Sequence, residues 1–231
     1  MENDPVQRSE IKQNATRAVK AVLFDLDGTL TDTEIYFREA WIGAAAEYGY
    51  YMSPERELLM RSLGMPFVEE QFKAWYGGDC PFPEIAGLCG RIFASLAEER
   101  GVRLKPGVKE TLVKLKEMGI TVALTTSGRT GRASAVLSKA GILDLFDRMI
   151  CSNMVKLGKP APDTYLYACG ELGIEPREAI AVEDSPNGVR SAYAAGCRVI
   201  MVPDLSEPDD DIKPMLYARV DTVDGIIGYL D

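Results

Sequence analysis

The stretch KAVLFDLDGTLTDTE, from Lys20 to Glu34, runs an apolar segment into two aspartates spaced one residue apart and then breaks at glycine. Ala21 to Phe24 shows no apolar–polar alternation, which predicts a strand covered on both faces in a parallel sheet. Carboxylates at the end of a buried strand are costly unless something there needs them.

Similar runs recur at Ile120 to Thr126, Arg148 to Cys151, Ala179 to Glu183 and Cys197 to Val202. Helical patterns lie between them. Gly107 to Met118 places Val108, Thr111, Leu112 and Leu115 on one face and stops at Gly119. Thr130 to Ala140 does the same with Ala133, Val136 and Leu137 and stops at Gly141. Ser185-Pro186 supplies an N-cap and a first-turn proline for a further helix. This alternation predicts a doubly wound, Rossmann-like α/β core with a parallel sheet.

The stretch from Thr33 to Lys105 breaks that rhythm. Phe37, Ala40, Trp41, Ala44, Ala45 and Tyr48 follow helical spacing, and further helices are expected over Pro54 to Leu63, Pro66 to Tyr76 and Pro83 to Arg100. The expected organisation is a polar leader over residues 1–19, a core domain from residues 20–32 and 106–231, and an all-helical insert over residues 33–105.

Bulk properties narrow the function. The chain has 231 residues, 46% hydrophobic and 26% charged, and no apolar run long enough to suggest a membrane span. The start is too polar for a signal peptide, so a cytoplasmic protein is expected, and the Asn14-Ala15-Thr16 glycosylation pattern reads as chance. A net charge of -9 without any dense Lys/Arg run argues against a nucleic-acid partner. The five cysteines are scattered without a CxxC pair and read as reduced structural thiols. Histidine is absent, which excludes Ser-His-Asp and Cys-His catalysis and HExxH zinc sites. Carboxylates, hydroxyls or lysine must carry any chemistry.

Ligands in open α/β sheets bind beyond the carboxyl ends of the strands. Asp25 and Asp27 follow the first strand, Thr126 and Ser127 end the second, and Glu183-Asp184 end the fourth. Taken singly, each has a structural reading: a turn for Asp-x-Asp-Gly, helix caps for Thr125 to Ser127 and for Glu183 to Ser185, a solvated loop for Lys159. Together, four carboxylates at one edge would repel by ~4 kcal/mol per close pair at an effective dielectric of 20. A cation must sit among them, and oxygen-only ligands favour Mg²⁺. Lys159 can neutralise further negative charge, and the N–H groups around Ser127 and Gly128 are expected to cradle an anion.

In these motifs the chain resembles the haloacid dehalogenase-like (HAD) phosphohydrolases, in the helical-cap branch that includes β-phosphoglucomutase and phosphoglycolate phosphatase. The resemblance runs from about Lys20 to Asp231 and rests on FDLDGTLTDTE, Thr126 of ALTTSGR, Lys159 of LGKPAPDTYLYA, and AVEDSPNGVRSAYAAG. It implies that Asp25 is the nucleophile forming an aspartyl-phosphate and Asp27 the general acid and base. Thr126 and Lys159 are implied as phosphate ligands. Glu183 and Asp184 would hold Mg²⁺ with the Asp25 carboxylate and the Asp27 backbone carbonyl, and Gly28 permits the turn that returns Asp27 to the site. Dehalogenases of the superfamily do not use this second aspartate or a metal in the same way, so phosphoryl chemistry is favoured.

The implied function is a Mg²⁺-dependent phosphatase of a small phosphorylated metabolite such as a sugar phosphate, expected as a monomer or weak homodimer. The insert would close over the site. Glu34, Tyr36, Phe37, Trp41, Phe67, Trp75 and Tyr76 lie near the cap entrance, most of the aromatics being expected as cap core. The alternative is a phosphosugar mutase of the β-phosphoglucomutase type. In that relative the cap supplies a histidine and an arginine, whereas here Phe37 takes the approximate histidine position and SLGMPFVEE, from Ser62 to Glu70, holds no arginine. A non-catalytic phospho-ligand sensor is the third reading, and loss of Asp25 or Asp27 would have favoured it.

Overall fold

The computed structural model describes residues 18–230, so nearly all of the expected leader and the Asn14-Ala15-Thr16 tripeptide lie outside the described residues. A parallel sheet runs through the core in the order β3-β2-β1-β4-β5-β6. Its strands are β1 (Ala21–Phe24), β2 (Thr121–Thr126), β3 (Arg148–Cys151), β4 (Ala179–Glu183), β5 (Arg198–Met201) and β6 (Ala218–Arg219). The sequence pattern did not reveal β6, because two residues at a sheet edge carry no periodicity.

The first strand shows why its sequence is uniformly apolar. Val22 and Phe24 pack into one buried cluster with Leu112 and Leu115, while Ala21 and Leu23 pack into another with Tyr165 and Val189. Successive side chains of a strand point to opposite faces, and here both faces are covered by helices. On one side lie α5 (Val108–Glu117) and α6 (Thr130–Lys139), on the other α7 (Asp163–Leu172) and α8 (Pro186–Ala194). Hydrogen-bonding to β2 on one side and β4 on the other leaves β1 central. The strand order changes direction there, which is where the ligand crevice of an open α/β sheet lies, beyond the carboxyl ends.

Between β1 and α5 the chain forms the helical insert: α1 (Glu34–Glu47), α2 (Pro54–Met60), α3 (Phe67–Tyr76) and α4 (Phe82–Arg100). Its centre is aromatic. Trp41 and Phe82 each lie 5.2 Å from Phe72, and Phe72 lies 5.6 Å from Tyr76. Trp41, Trp75 and Tyr76 therefore pack into the core of the insert, and Arg56 lies over the rings of Trp75 and Tyr76 at 5.4 and 5.6 Å. The two linkers run side by side: the Asp32 N–H donates to the Arg103 carbonyl and the Lys105 N–H to the Leu30 carbonyl, both at 2.9 Å.

The α2 helix ends at Met60, earlier than its apolar pattern predicts, because the chain turns there to meet the core. Ser62 adopts a left-handed backbone (φ 55°), uncommon for a residue with a side chain. Just beyond, Gly64 meets Gly158 so closely that a Cβ on Gly64 would lie 2.6 Å from the Gly158 Cα. Two backbone hydrogen bonds frame this contact, from the Gly64 N–H to the Lys159 carbonyl at 2.8 Å and from the Gly158 N–H to the Met65 carbonyl at 2.7 Å. The insert thus docks on the loop that carries Lys159.

All five cysteines are free and buried, as expected of structural thiols. No helix among the described residues is long and apolar enough to cross a membrane.

Candidate active site

Asp25 directly follows β1, and its N–H continues the ladder by donating to the Val182 carbonyl at 3.0 Å. A strand end tied on this pattern fixes the carboxylate better than a free loop could. Gly28 then turns the chain with φ +84°, and any Cβ there would collide with the Asp184 carboxylate. Gly28 is needed for both the backbone angle and the close approach of Asp184.

Lys159 is completely buried between strand ends. Its Nζ donates to Asp25 Oδ1 at 2.7 Å, to Glu183 Oε1 at 2.5 Å and to the Thr125 carbonyl at 3.0 Å. Burial works against its charge, but the flanking Asp25 and Glu183 carboxylates prevail and hold the ammonium above the ordinary lysine range. Tyr165 from α7 also donates its hydroxyl to Glu183 Oε1.

Asp25, Glu183 and Asp184 each bring one carboxylate oxygen within 4.8 Å of the others. Burial, outweighing Lys159, pushes Glu183 up to about 8, with Asp25 and Asp184 adding repulsion. Asp184 is pushed up to about 7, again mainly by burial, despite Arg61. Asp25 is raised for the same first reason. Buried carboxylates held this close together, with their protonated forms favoured by burial, make a site that would welcome a further positive charge. Glu183 Oε2 is buried with no hydrogen-bond partner, a second sign that the cluster could hold a cation.

The Asp27 side chain stands outside this cluster. Its Oδ1 accepts from Thr33 Oγ1 at 2.6 Å and from Arg132 Nη1 at 3.0 Å, and its Oδ2 accepts from Arg132 Nη2 at 2.7 Å. The metal role expected of Asp27 is that of its backbone carbonyl, not of this side chain.

The expected anion cradle differs from its simplest form. The Gly128 N–H donates to Thr126 Oγ1 at 3.0 Å, and the Ser127 hydroxyl donates to the Ser62 carbonyl of the insert at 2.7 Å. The following helix begins at Thr130, so a short loop separates Gly128 from the helix start. The space a Gly128 Cβ would need is filled by the Arg132 guanidinium.

Two arginines complete the site, and neither was foreseen. Arg61, buried at the end of α2, pairs with Asp184, lies 3.4 Å from Glu34 and donates to Ser206 Oγ at 2.9 Å. It stands immediately before SLGMPFVEE, which itself holds no arginine. Asn187 of α8 holds the same turn by donating to the Leu59 and Arg61 carbonyls. For Arg132 a signal existed, since it lies one helical turn beyond Gly128 on the exit of β2. For Arg61 there was none.

Comparisons with known proteins define the family. Residues 19–196 match the family model of the haloacid dehalogenase-like hydrolases. Hexitol phosphatase A of Escherichia coli (strain K12) is 35% identical over 82% of this chain and 88% of its own length. The crystal structure of a CbbY variant from Rhodobacter sphaeroides in complex with xylulose-(1,5)bisphosphate superposes with a TM-score of 0.78 at 27% identity, covering 92% of this chain and 99% of that one. β-Phosphoglucomutase from Clostridium difficile gives a TM-score of 0.77 at 22% identity over 90% and 93% of the two chains, a likeness of fold alone. The chain belongs to the haloacid dehalogenase-like hydrolases, in their cap-containing branch. Within that family it is a phosphoric monoester hydrolase.

Proposed function

We propose that this protein is a Mg²⁺-dependent phosphatase that hydrolyses a small phosphorylated metabolite, a sugar phosphate, through an aspartyl-phosphate at Asp25. The observation that carries the reading is the convergence of Asp25, Lys159, Glu183 and Asp184 in one buried pocket with Asp27 two residues from the nucleophile.

An oxygen of Asp25 attacks phosphorus, forming an acyl phosphate as the bond to the ester oxygen breaks. Asp27 delivers a proton to the departing alkoxide, then takes one from the water that attacks the acyl phosphate, and inorganic phosphate leaves. Lys159 fixes Asp25 and, with Thr126, faces the phosphoryl oxygens. Asp25, Glu183, Asp184 and the Asp27 carbonyl would hold Mg²⁺, which when bound supplies the charge neutralisation that a carboxylate attacking a phosphate dianion requires. The insert, proposed as a cap over residues 33–105, closes the crevice against water. The absence of histidine, with Phe37 at the approximate position where β-phosphoglucomutase supplies one, favours hydrolysis over isomerisation.

The test is release of phosphate from p-nitrophenyl phosphate with and without Mg²⁺. Activity should depend on the metal and fall at least ~1,000-fold in Asp25→Asn, whose circular dichroism should match the parent. No release by the parent from this ester or from a panel of sugar phosphates refutes the phosphatase.

A further inference from the structure

Arg132 occupies the part of the crevice that the phosphatase chemistry leaves unassigned. It projects from the first turn of α6, fills the space above Gly128, and reaches both carboxylate oxygens of Asp27 at 3.0 and 2.7 Å. Its guanidinium carbon lies 4.8 Å from the ring centre of Phe37 and 5.2 Å from that of Phe93, two insert residues whose own rings stack at 4.3 Å. Core and insert therefore grip one cation between them.

That place is defined by the reaction. Asp27 must reach the ester oxygen, so the group esterified to the phosphate has to lie beside Asp27 on the side away from Asp25. Arg132 already stands there, with its side chain 23% exposed. A guanidinium carries five N–H donors and Asp27 takes only two of them. The other cations of the crevice are committed elsewhere, Lys159 to Asp25 and Glu183, Arg61 to Asp184 and Glu34.

Building on the phosphatase reading, we propose that Arg132 determines specificity by binding a second anionic group, a carboxylate or a phosphate, on the leaving-group half of the substrate. A planar fork of donors matches either anion in two-point fashion, which a neutral hydroxyl cannot reciprocate. The aromatic contacts hold the guanidinium before the substrate arrives, so little ordering remains to be done on binding. Transfer of the fork from Asp27 to the substrate also clears the Asp27 oxygens for the ester oxygen. Phe37 thus acts as a wall of this subsite, in the position where the sequence had suggested either cap core or substrate contact.

The experiment compares the parent, R132Q and R132K in Mg²⁺ on 2-phosphoglycolate (carboxylate), xylulose 1,5-bisphosphate (phosphate) and sorbitol 6-phosphate (neither). The parent should prefer one of the two doubly anionic esters over the neutral one, and whichever it prefers tells carboxylate from phosphate. In R132Q the ratio of kcat/KM between that ester and sorbitol 6-phosphate should fall about 30-fold, mostly through KM, with partial recovery in R132K. A parent that favours sorbitol 6-phosphate, or a ratio that R132Q leaves unchanged, overturns the assignment while the phosphatase stands. A parent inactive on these esters and on p-nitrophenyl phosphate overturns both. Thermal unfolding of R132Q and R132K confirms that folded proteins are being compared.

Discussion

The core half and the insert half of the crevice are held by different means. Asp25, Thr126 and Glu183-Asp184 sit on or just past the ends of neighbouring strands, whose register is fixed by the β-ladder and by apolar clusters on both faces. Arg61, Phe37 and Phe93 come from helices that meet the core through a glycine pair, a few hydrogen bonds to loop carbonyls, the exposed Lys139–Glu98 ion pair and the buried Arg61–Asp184 pair. The first half has no freedom to rearrange without breaking the sheet. The second is held by loop and side-chain contacts alone, which fits the proposed division between groups that perform the reaction and groups that choose its substrate.

Removing the buried ion pair across that surface should have the largest effect. Arg61 and Asp184 are each 1% exposed, so Arg61→Met leaves a buried carboxylate without its cation, a change that costs about 3–5 kcal/mol. The loss should be read as a lowered unfolding midpoint in urea with EDTA. Saturating Mg²⁺ should restore more stability to the variant than to the parent, because a metal at Asp184 replaces the missing charge. Equal restoration in both proteins would place Arg61 apart from the metal site.

Gly64→Ala probes the docking contact by itself. The new methyl would press on the Gly158 backbone, which cannot swing aside as a side chain would. Overpacking of this kind costs about 1–3 kcal/mol. Differential scanning calorimetry should show a lowered Tm, and KM should rise more than kcat falls if the contact governs closure. A variant with unchanged KM and Tm would mean that the insert does not close on this surface.

The smallest effect is a drift with pH that belongs to the core half. Glu183 and Asp184 are pushed up to about 8 and about 7 in the folded protein, from 4.5 and 3.8. The native state therefore keeps protons that the unfolded chain has released, and stability falls as pH rises. The contribution is complete below the ordinary carboxylate range and is lost as pH passes through 7 and then 8. Metal-free protein unfolded in urea between about pH 6 and about pH 8.5 should lose up to ~1.4 kcal/mol per pH unit for each group. Added Mg²⁺ should stabilise more at the alkaline end, where it no longer competes with protons. A metal-free profile rising across that range would contradict the burial that raises these carboxylates.

The sequence carried the core half almost completely. A strand buried on both faces needs an uninterrupted apolar run, so AVLF, ITVALTT and AIAVE were visible as strands. Polar residues at their ends could only lie at the carboxyl edge of the sheet, because parallel connection sends every strand the same way. Asp25, Asp27, Thr126, Glu183 and Asp184 were placed at that edge for this reason, whereas Lys159, in a loop beyond β3, was tied to the site by the family resemblance. The helices of the insert were legible too, from their apolar period.

How those helices sit on the core was not written in any period. Nothing local to Met60-Arg61-Ser62 says that α2 stops there and turns Arg61 toward Asp184, since that turn answers to the Gly64–Gly158 approach and to Asn187, more than 120 residues away in sequence. Arg132 gave a weaker signal, but its meeting with Asp27, Phe37 and Phe93 needs two elements of the insert and one of the core at once. Strand ends are placed by short-range pattern and a repetitive ladder, which a chain spells out residue by residue. Contacts between separately folded layers depend on shape on both sides, and only the assembled structure determines them.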